Sequence, residues 1–407
     1  YGSPHSHWDS LTFDFWAHGA YLVKNVGYQE LFYPAPHIPG HLHAALGVKP
    51  APTPIQPPAP WTTWQAWDAQ RCFRMAPEMH NVPTVDGGGG NHWTSRADPL
   101  HFVVNTGWAQ ALRADGGIAG SYTRIGALGT DGKVARALVQ VEPAADMPGY
   151  LVVVDDVVPV ENPEARCDWF LHPRGKIKGS GPSISWTTCD FLSFPPRDVS
   201  LEVRLPPEGL ECTLKPDGHH LVGGSFQPGE YLDVSWRGPR RFWAVLRPAA
   251  EGQELPTAEA LPGNLGLRIG GPGGDLLLVR PIREKELSFG GIRSDAGTLL
   301  ARDGGRGFYL VDHATRASLS DGAGGQLGFE ASAPVMLTAR AVCGTVFADR
   351  PHKQPTPMAP VKLAVRDPRL VVGEIVRLDG RPAGKCSAGG FEIVIESPGM
   401  HRWEVST

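Results

Sequence analysis

The stretch LTFDFWAHGAYLVK, residues 11–24, carries the pattern that decides the fold. Apolar and polar side chains alternate before Ala17-His18-Gly19 and a short apolar run, AYLV, follows it; a period of two is the mark of a strand with one buried face, and a short apolar run bounded by turn residues is that of a buried one. The segment reads as a hairpin, with strands over residues 11–16 and 20–24 closed by the turn AHG. Just before it stand His5, His7 and Asp9 in HSHWD. In extended chain these three point to one side, with neighbours roughly 6.5–7 Å apart, a spacing that suits a shared site.

The same rhythm continues outward in ARALVQVEP, YLVVVDDVV, CDWFLHP, SLEVRLPP, RFWAVLRP, GFYLVDH and APVMLTARAV. Each run is bounded by Gly, Pro, Asp or Asn, and Gly 50 with Pro 39 in 407 residues provides many turns. Helical periodicity is nearly absent; a short helix fits only places such as residues 257–260 (TAEA), between Pro256 and Pro262. No repeat of fixed period points to a propeller or solenoid. The expectation is all-β: a large antiparallel β-sandwich, with strands enough for two packed sheets.

A formal net charge of −4 and a pI near 6.4 give no general attraction to polyanions, so neither nucleic acid nor a membrane surface is expected as a partner. Any acidic ligand would need a local basic patch. No apolar run approaches the roughly 20 residues of a spanning helix. The chain begins at Tyr1 and enters a dense motif within five residues, which reads as a fragment or processed chain. Six cysteines without a CxxC pair disfavour a zinc ribbon or a thioredoxin-like site, and most are expected to be free and buried.

Two segments break the rhythm. Residues 31–79 hold a Pro-rich stretch and then WTTWQAWDAQRCFRMAPEMH, an insertion too long for a hairpin loop. Residues 350–362 (RPHKQPTPMAPVK) read as a linker. The domain expectation is therefore a sandwich over 1–350, with an insertion at 31–79, and a linker with a small C-terminal β unit over 351–407.

The run HSHWDSLTFDFWAHGAYLVKNVGY (residues 5–28), followed by HNVPTVDG (residues 80–87), resembles the start of the C-terminal β-sandwich domain of heparinase II/III-like polysaccharide lyases. The resemblance rests on HxHxD, the Gly19 turn, the segment Asn25-Val26-Gly27 and the later His-Asn element, and it covers the first 90 residues. It implies β-elimination at a uronic acid unit of an acidic polysaccharide or oligosaccharide. It also implies a helical toroid domain or chain as partner, which in such lyases precedes the sandwich and completes the cleft. The expected setting is periplasmic or secreted.

Carried over residue by residue, His5 matches the site histidine that faces the substrate carboxylate. His7 and His80 match metal ligands of one structural zinc ion, and Asn25 stands where the family has an Asp ligand. An amide in that place removes a negative charge from the shell and is a poor zinc ligand. The same residues also read as a hydrogen-bonded histidine pair completed by Asn25. Tyr28 and Tyr33 follow the hairpin and are candidates for proton carrier or sugar contact, or plain amphipathic strand-end tyrosines. Trp64, Arg71 and Arg74 of the insertion are candidate substrate contacts, because rings pack on sugar faces and guanidinium pairs with carboxylate or sulfate; the structural alternative is a short helix with Trp64 and Trp67 packed on the sandwich. A noncatalytic carbohydrate-binding sandwich is the alternative function, and a uronyl epimerase, which differs in how the intermediate is reprotonated, is a third. Asp155 and Asp156 read as a turn at the end of an apolar strand, and KPDGHH (residues 215–220) as a hairpin with exposed histidines. His172 reads as a satisfied inner-face histidine.

Overall fold

The computed structural model describes residues 12–24, 80–86, 109–119, 130–141, 149–190, 197–222, 225–250, 256–270, 274–281, 284–302, 307–320, 326–339, 343–348 and 359–406. Among them the structure is nearly all β, and every strand pair whose register is defined is antiparallel. The chain divides into two compact units. Unit 1 comprises Tyr1–Asp98, Ala114–Arg136 and Asp155–Glu254; unit 2 comprises Pro99–Arg113, Ala137–Val154 and Leu255–Thr407.

The opening hairpin is present as β1 (Phe15–Ala17) and β2 (Ala20–Val23), antiparallel. Its two turn residues, His18 and Gly19, have φ of 50° and 79°, the two positive angles of a type I′ turn, whose twist matches that of the flanking strands. The following strands are β3 (Pro83–Val85), β4 (Ala109–Ala119), β5 (Thr130–Val141), β6 (Tyr150–Pro159) and β7 (Arg166–Leu171). Then come β8 (Lys178–Ser180), β9 (Ser183–Asp190), β10 (Arg197–Arg204), β11 (Glu211–Val222), β12 (Ser225–Arg237) and β13 (Arg240–Ala250). One sheet has the order β4-β5-β6-β13-β10-β9-β8, and a second β11-β12-β7-β3. Strand β10 shows the expected alternation: Val199, Leu201 and Val203 are buried between partly or fully exposed neighbours.

Three local expectations are corrected. Asp155 and Asp156 do not form a turn; they lie inside β6, a central strand buried along almost its whole length. A carboxylate in such a strand must be paired, and each finds an arginine on a flanking strand, Asp155 with Arg136 of β5 and Asp156 with Arg241 of β13. KPDGHH is no hairpin turn: the ladder between β11 and β12 runs through it with a register shift between Pro216 and His219. Residues 258–260 form a strand, β14 (Ala258–Ala260), because so short a run cannot nucleate a helix and a ladder is at hand.

In unit 2, β15 (Gly266–Ile269), β16 (Asp275–Val279), β17 (Leu287–Phe289), β18 (Ile292–Ser294), β19 (Thr298–Arg302), β20 (Gly307–Ser320) and β21 (Gln326–Ala339) follow. The last are β22 (Cys343–Ala348), β23 (Val361–Arg366), β24 (Ile375–Leu378), β25 (Arg381–Lys385), β26 (Gly390–Ile395) and β27 (Gly399–Ser406). Two long strands make the layers. The first part of β20 pairs with β19 and its last part with β18, while β21 pairs first with β23 and then with β22. Register shifts at the middle of their shared ladder let both strands bend from one layer into the other. At the bend the freed amides of Thr315 and Arg316 donate to the Asp295 carboxylate at 3.0 Å.

Between the layers lies an apolar core. Phe308 meets Phe329 edge to face with centroids 6.5 Å apart, and Trp403 of β27 meets Phe391 of β26 at 5.0 Å. The strands after the Pro-rich segment at 350–362 join this same sheet, β23 against β21 and β27 against β22. Cys167, Cys212, Cys343 and Cys386 are free thiols, and burial pushes Cys167 up to about 12.

Candidate functional site

In the HNVPTVDG element the second residue, Asn81, lies two residues before β3 and has no exposed surface. The Asn81 amide donates to the carbonyls of Phe13 (2.8 Å) and Lys24 (3.0 Å), the residues that flank the opening hairpin. Its Oδ1 accepts from the His172 amide at 2.8 Å, just past β7. Its backbone N–H donates to Thr12 Oγ1 (3.1 Å), and its carbonyl accepts from Arg136 Nη1 (2.6 Å). Both amide protons are thus engaged by backbone, so Asn81 serves as a clamp and has none left for a ligand.

Further bonds hold the hairpin in place. Lys24 N donates to His172 O (3.0 Å), Arg174 N to Leu22 O (3.1 Å), and Trp186 Nε1 to Leu22 O (3.0 Å). Arg136 is bidentate to Asp155, both contacts at 2.7 Å, with side chains 2% and 0% exposed. Such a pair is held by geometry and mutual dependence, since either charge alone would be stranded in the interior. The expected inner-face His172 is buried, and its ring stacks on Tyr231 at 5.0 Å.

On the outside of the hairpin, Trp16 is 50% exposed and stacks on Tyr21 with centroids 4.2 Å apart and planes 6° apart. The Arg174 guanidinium lies over the Tyr21 ring at 5.4 Å, and Tyr21 donates to Asp14 at 2.5 Å. A half-exposed indole stacked on a tyrosine is an aromatic surface of the kind on which a sugar ring can pack.

A second polar group spans β3, β7, β12 and β11. Thr84 and Asp168 are directly opposed, Arg166 Nε donates to Asp168 Oδ1 at 2.7 Å, and Lys215 Nζ reaches Asp233 Oδ2 at 2.5 Å. Burial, and behind it the Asp233 charge, pushes Asp168 above the usual carboxylate range against the opposing pull of Arg166.

Of the residues assigned to catalysis, substrate or metal by sequence, His80 alone lies among the described residues. It is fully buried beside Asn81, and its carbonyl accepts from Val82 N at 2.9 Å. His5, His7, Asn25, Tyr28, Tyr33, Trp64, Arg71 and Arg74 lie outside the described residues. Among the described residues no group of three or more His, Cys, Asp or Glu could hold a metal ion. The Arg136–Asp155 pair and the clamp role of Asn81 escaped the sequence reading. The only sequence trace of the pair is an arginine in the apolar run ARALVQV and two aspartates in the apolar run YLVVVDDVV.

No family model and no curated protein matches the chain. Among solved structures, a mutant of heparan sulfate lyase HepC from Pedobacter heparinus is similar at TM-score 0.44 and 11% identity, over 73% of this chain and 36% of that one. A heparinase III structure is similar at TM-score 0.43 and 15% identity, over 74% of this chain and 35% of that one. The chain spans about a third of the length of those proteins.

Proposed function

We propose that this chain is part of a polysaccharide lyase that cleaves a uronate-containing acidic polysaccharide by β-elimination, working with a helical partner domain or chain. One observation supports the reading above the others. Asn81, in the second motif, grips both ends of the hairpin that follows HSHWD, so the two motifs behave as one constellation although 68 residues separate Asn81 from Phe13. In the reaction a base removes the C5 proton, the electron pair forms the C4–C5 double bond, the C4–O bond breaks, and the leaving oxygen takes a proton. His5 is assigned to the substrate carboxylate, where charge develops, and Tyr28 or Tyr33 to proton transfer. Trp64, Arg71 and Arg74 are assigned to sugar and anion contacts. A zinc ion held by His7, Asn25 and His80 belongs to the same proposal and would brace the hairpin against β3.

The half-exposed Trp16 on Tyr21 favours one second reading, a noncatalytic carbohydrate-binding sandwich. The two are separated by incubating the intact natural polypeptide with a panel of polyuronates. Lyase action gives new ultraviolet absorbance from unsaturated uronate ends, and His5→Ala should lower turnover about 10²-fold with melting unchanged. Binding or hydrolysis without new absorbance would remove the lyase reading. For the metal, a chelator should lower the melting temperature and Asn25→Asp should raise zinc affinity by adding a negative charge beside the cation. Tight zinc in the wild type with no gain in Asn25→Asp would refute the charge argument.

A further inference from the structure

The outer face of one layer of unit 2 carries a groove of about 230 Å³ bordered by three arginines. Its floor is set by register: Arg293 of β18, Ser318 of β20, Gly328 of β21 and Arg366 of β23 stand directly opposite one another across four strands. Each points away from the core, because Ile292, Leu319, Leu327, Phe329 and Val365 on the same strands are buried. The two small residues leave the middle of the row low, and the two arginines rise about 14 Å apart, three ladder spacings. Arg316 stands one row along, with its backbone fixed by Asp295.

These guanidiniums are weakly engaged. Arg316 meets Glu286 at 3.6 Å and Arg366 meets Glu330 at 4.0 Å, between side chains 44–69% exposed. Exposed pairs this long hold little energy and exchange readily for a better acceptor. Arg293 is exposed and forms no ion pair or side-chain hydrogen bond among the described residues. Three cations against two carboxylates leave the groove positive in a chain of net charge −4, so this is the kind of local basic patch an acidic ligand requires. Its volume falls below that of pockets that enclose a whole ligand, and it suits one charged ring of a chain passing over the sheet.

We propose that this groove is an accessory binding site for a polyanionic glycan, with Arg293, Arg316 and Arg366 pairing its carboxylate or sulfate groups over the Ser318–Gly328 floor. The ligand class rests on the acidic-polysaccharide reading above; the anion-binding geometry does not. The test measures binding of a polyuronate, a sulfated dextran and an uncharged dextran to the full chain and to Arg293→Ala/Arg366→Ala. Affinity for at least one charged polymer should fall about tenfold or more in the variant, the scale of losing charge-assisted contacts. The same binding should weaken with salt, and uncharged dextran should not bind. Arg293→Glu, at a side chain with no ion pair or side-chain hydrogen bond among the described residues, should also weaken binding while melting is unchanged. The arm that binds tells carboxylate from sulfate recognition. Equal affinity in wild type and both variants would overturn the proposal. Arginine-dependent binding without any lyase activity would leave the groove standing and remove the catalytic reading instead.

Discussion

The centre of unit 1 holds an amide, a guanidinium and a carboxylate, Asn81, Arg136 and Asp155, each bonded to a particular partner. The space between the layers of unit 2 is filled instead by Phe308, Phe329, Leu363, Ile393 and Trp403. Both clusters sit in antiparallel sheet, yet they resist change in different ways. A polar knot fixes chain positions, here the residues that flank the HSHWD hairpin, and fails when one partner is lost. An apolar core tolerates rearrangement of shape better than loss or gain of volume. The polar cluster is thereby suited to hold chain positions in register, while the sheet that covers the apolar cluster displays charge on its outer side.

The sharpest way to break this contrast is Arg136→Ala. It strands the Asp155 carboxylate and removes the donor to Asn81 O, so urea unfolding should show a loss of about 3–5 kcal/mol. Replacing the pair together, Arg136→Met with Asp155→Leu, should recover a large part of that loss, because the stranded charge is then gone. Equal losses in the single and double variants would mean that the knot acts through packing alone, and the distinction between the two clusters would fall.

The hairpin, the strand alternation and the antiparallel class were legible in the sequence because they are local: LTFDFWAHGAYLVK states its own turn, and SLEVRL states its own buried face. The Asp155 partner was not, since Arg136 lies 19 residues away and only the adjacency of β5 and β6 brings them together. KPDGHH misled for a related reason. Its Pro-Asp-Gly carries a turn signal, but the long ladder between β11 and β12 absorbs it as a register shift. The layer switch in β20 and β21 was hidden too, because an apolar run does not reveal which neighbour each half will pair with. Asn81 was visible as part of a motif, but its clamp role depends on four segments distant in sequence.

A second, smaller effect tests the apolar side. Gly344 lies directly across from Trp403, and a Cβ there would sit 2.5 Å from the indole and 2.1 Å from the Thr338 carbonyl. Gly344→Ala must therefore push the indole or the ladder aside, at a cost of about 1–3 kcal/mol. Gly344→Ala combined with Trp403→Leu should cost less than the sum of the two single changes, since the smaller side chain vacates the contested space. Strict additivity in denaturant midpoints would place the strain in the backbone contact rather than in the core.

The smallest expected effect separates the units by pH. Burial raises Asp168 in unit 1, with the Asp233 charge adding to the rise. Its folded form keeps a proton that the unfolded chain has released, so its stabilising contribution is full below the ordinary Asp value of about 3.9 and is lost as pH rises through the raised value. Asp379 in unit 2 runs the other way. Burial alone would raise it, but bonds from His401 Nδ1 (2.8 Å) and the Arg402 amide (2.9 Å) outweigh that and hold it below the usual range. Its contribution is present above the ordinary value and disappears as pH falls through the lowered one. Asp379 is half exposed, so solvent screens its share and the slope it adds is shallow. Urea midpoints measured from about pH 3 to 6 should show Asp168→Asn removing a decline with rising pH and Asp379→Asn removing a gain. Absolute stability will also shift with the lost hydrogen bonds, so the slope is the readout. Curves for Asp168→Asn parallel to the wild type would show that the buried carboxylate is matched by Arg166 after all, and that the polar face of unit 1 carries no net burial penalty.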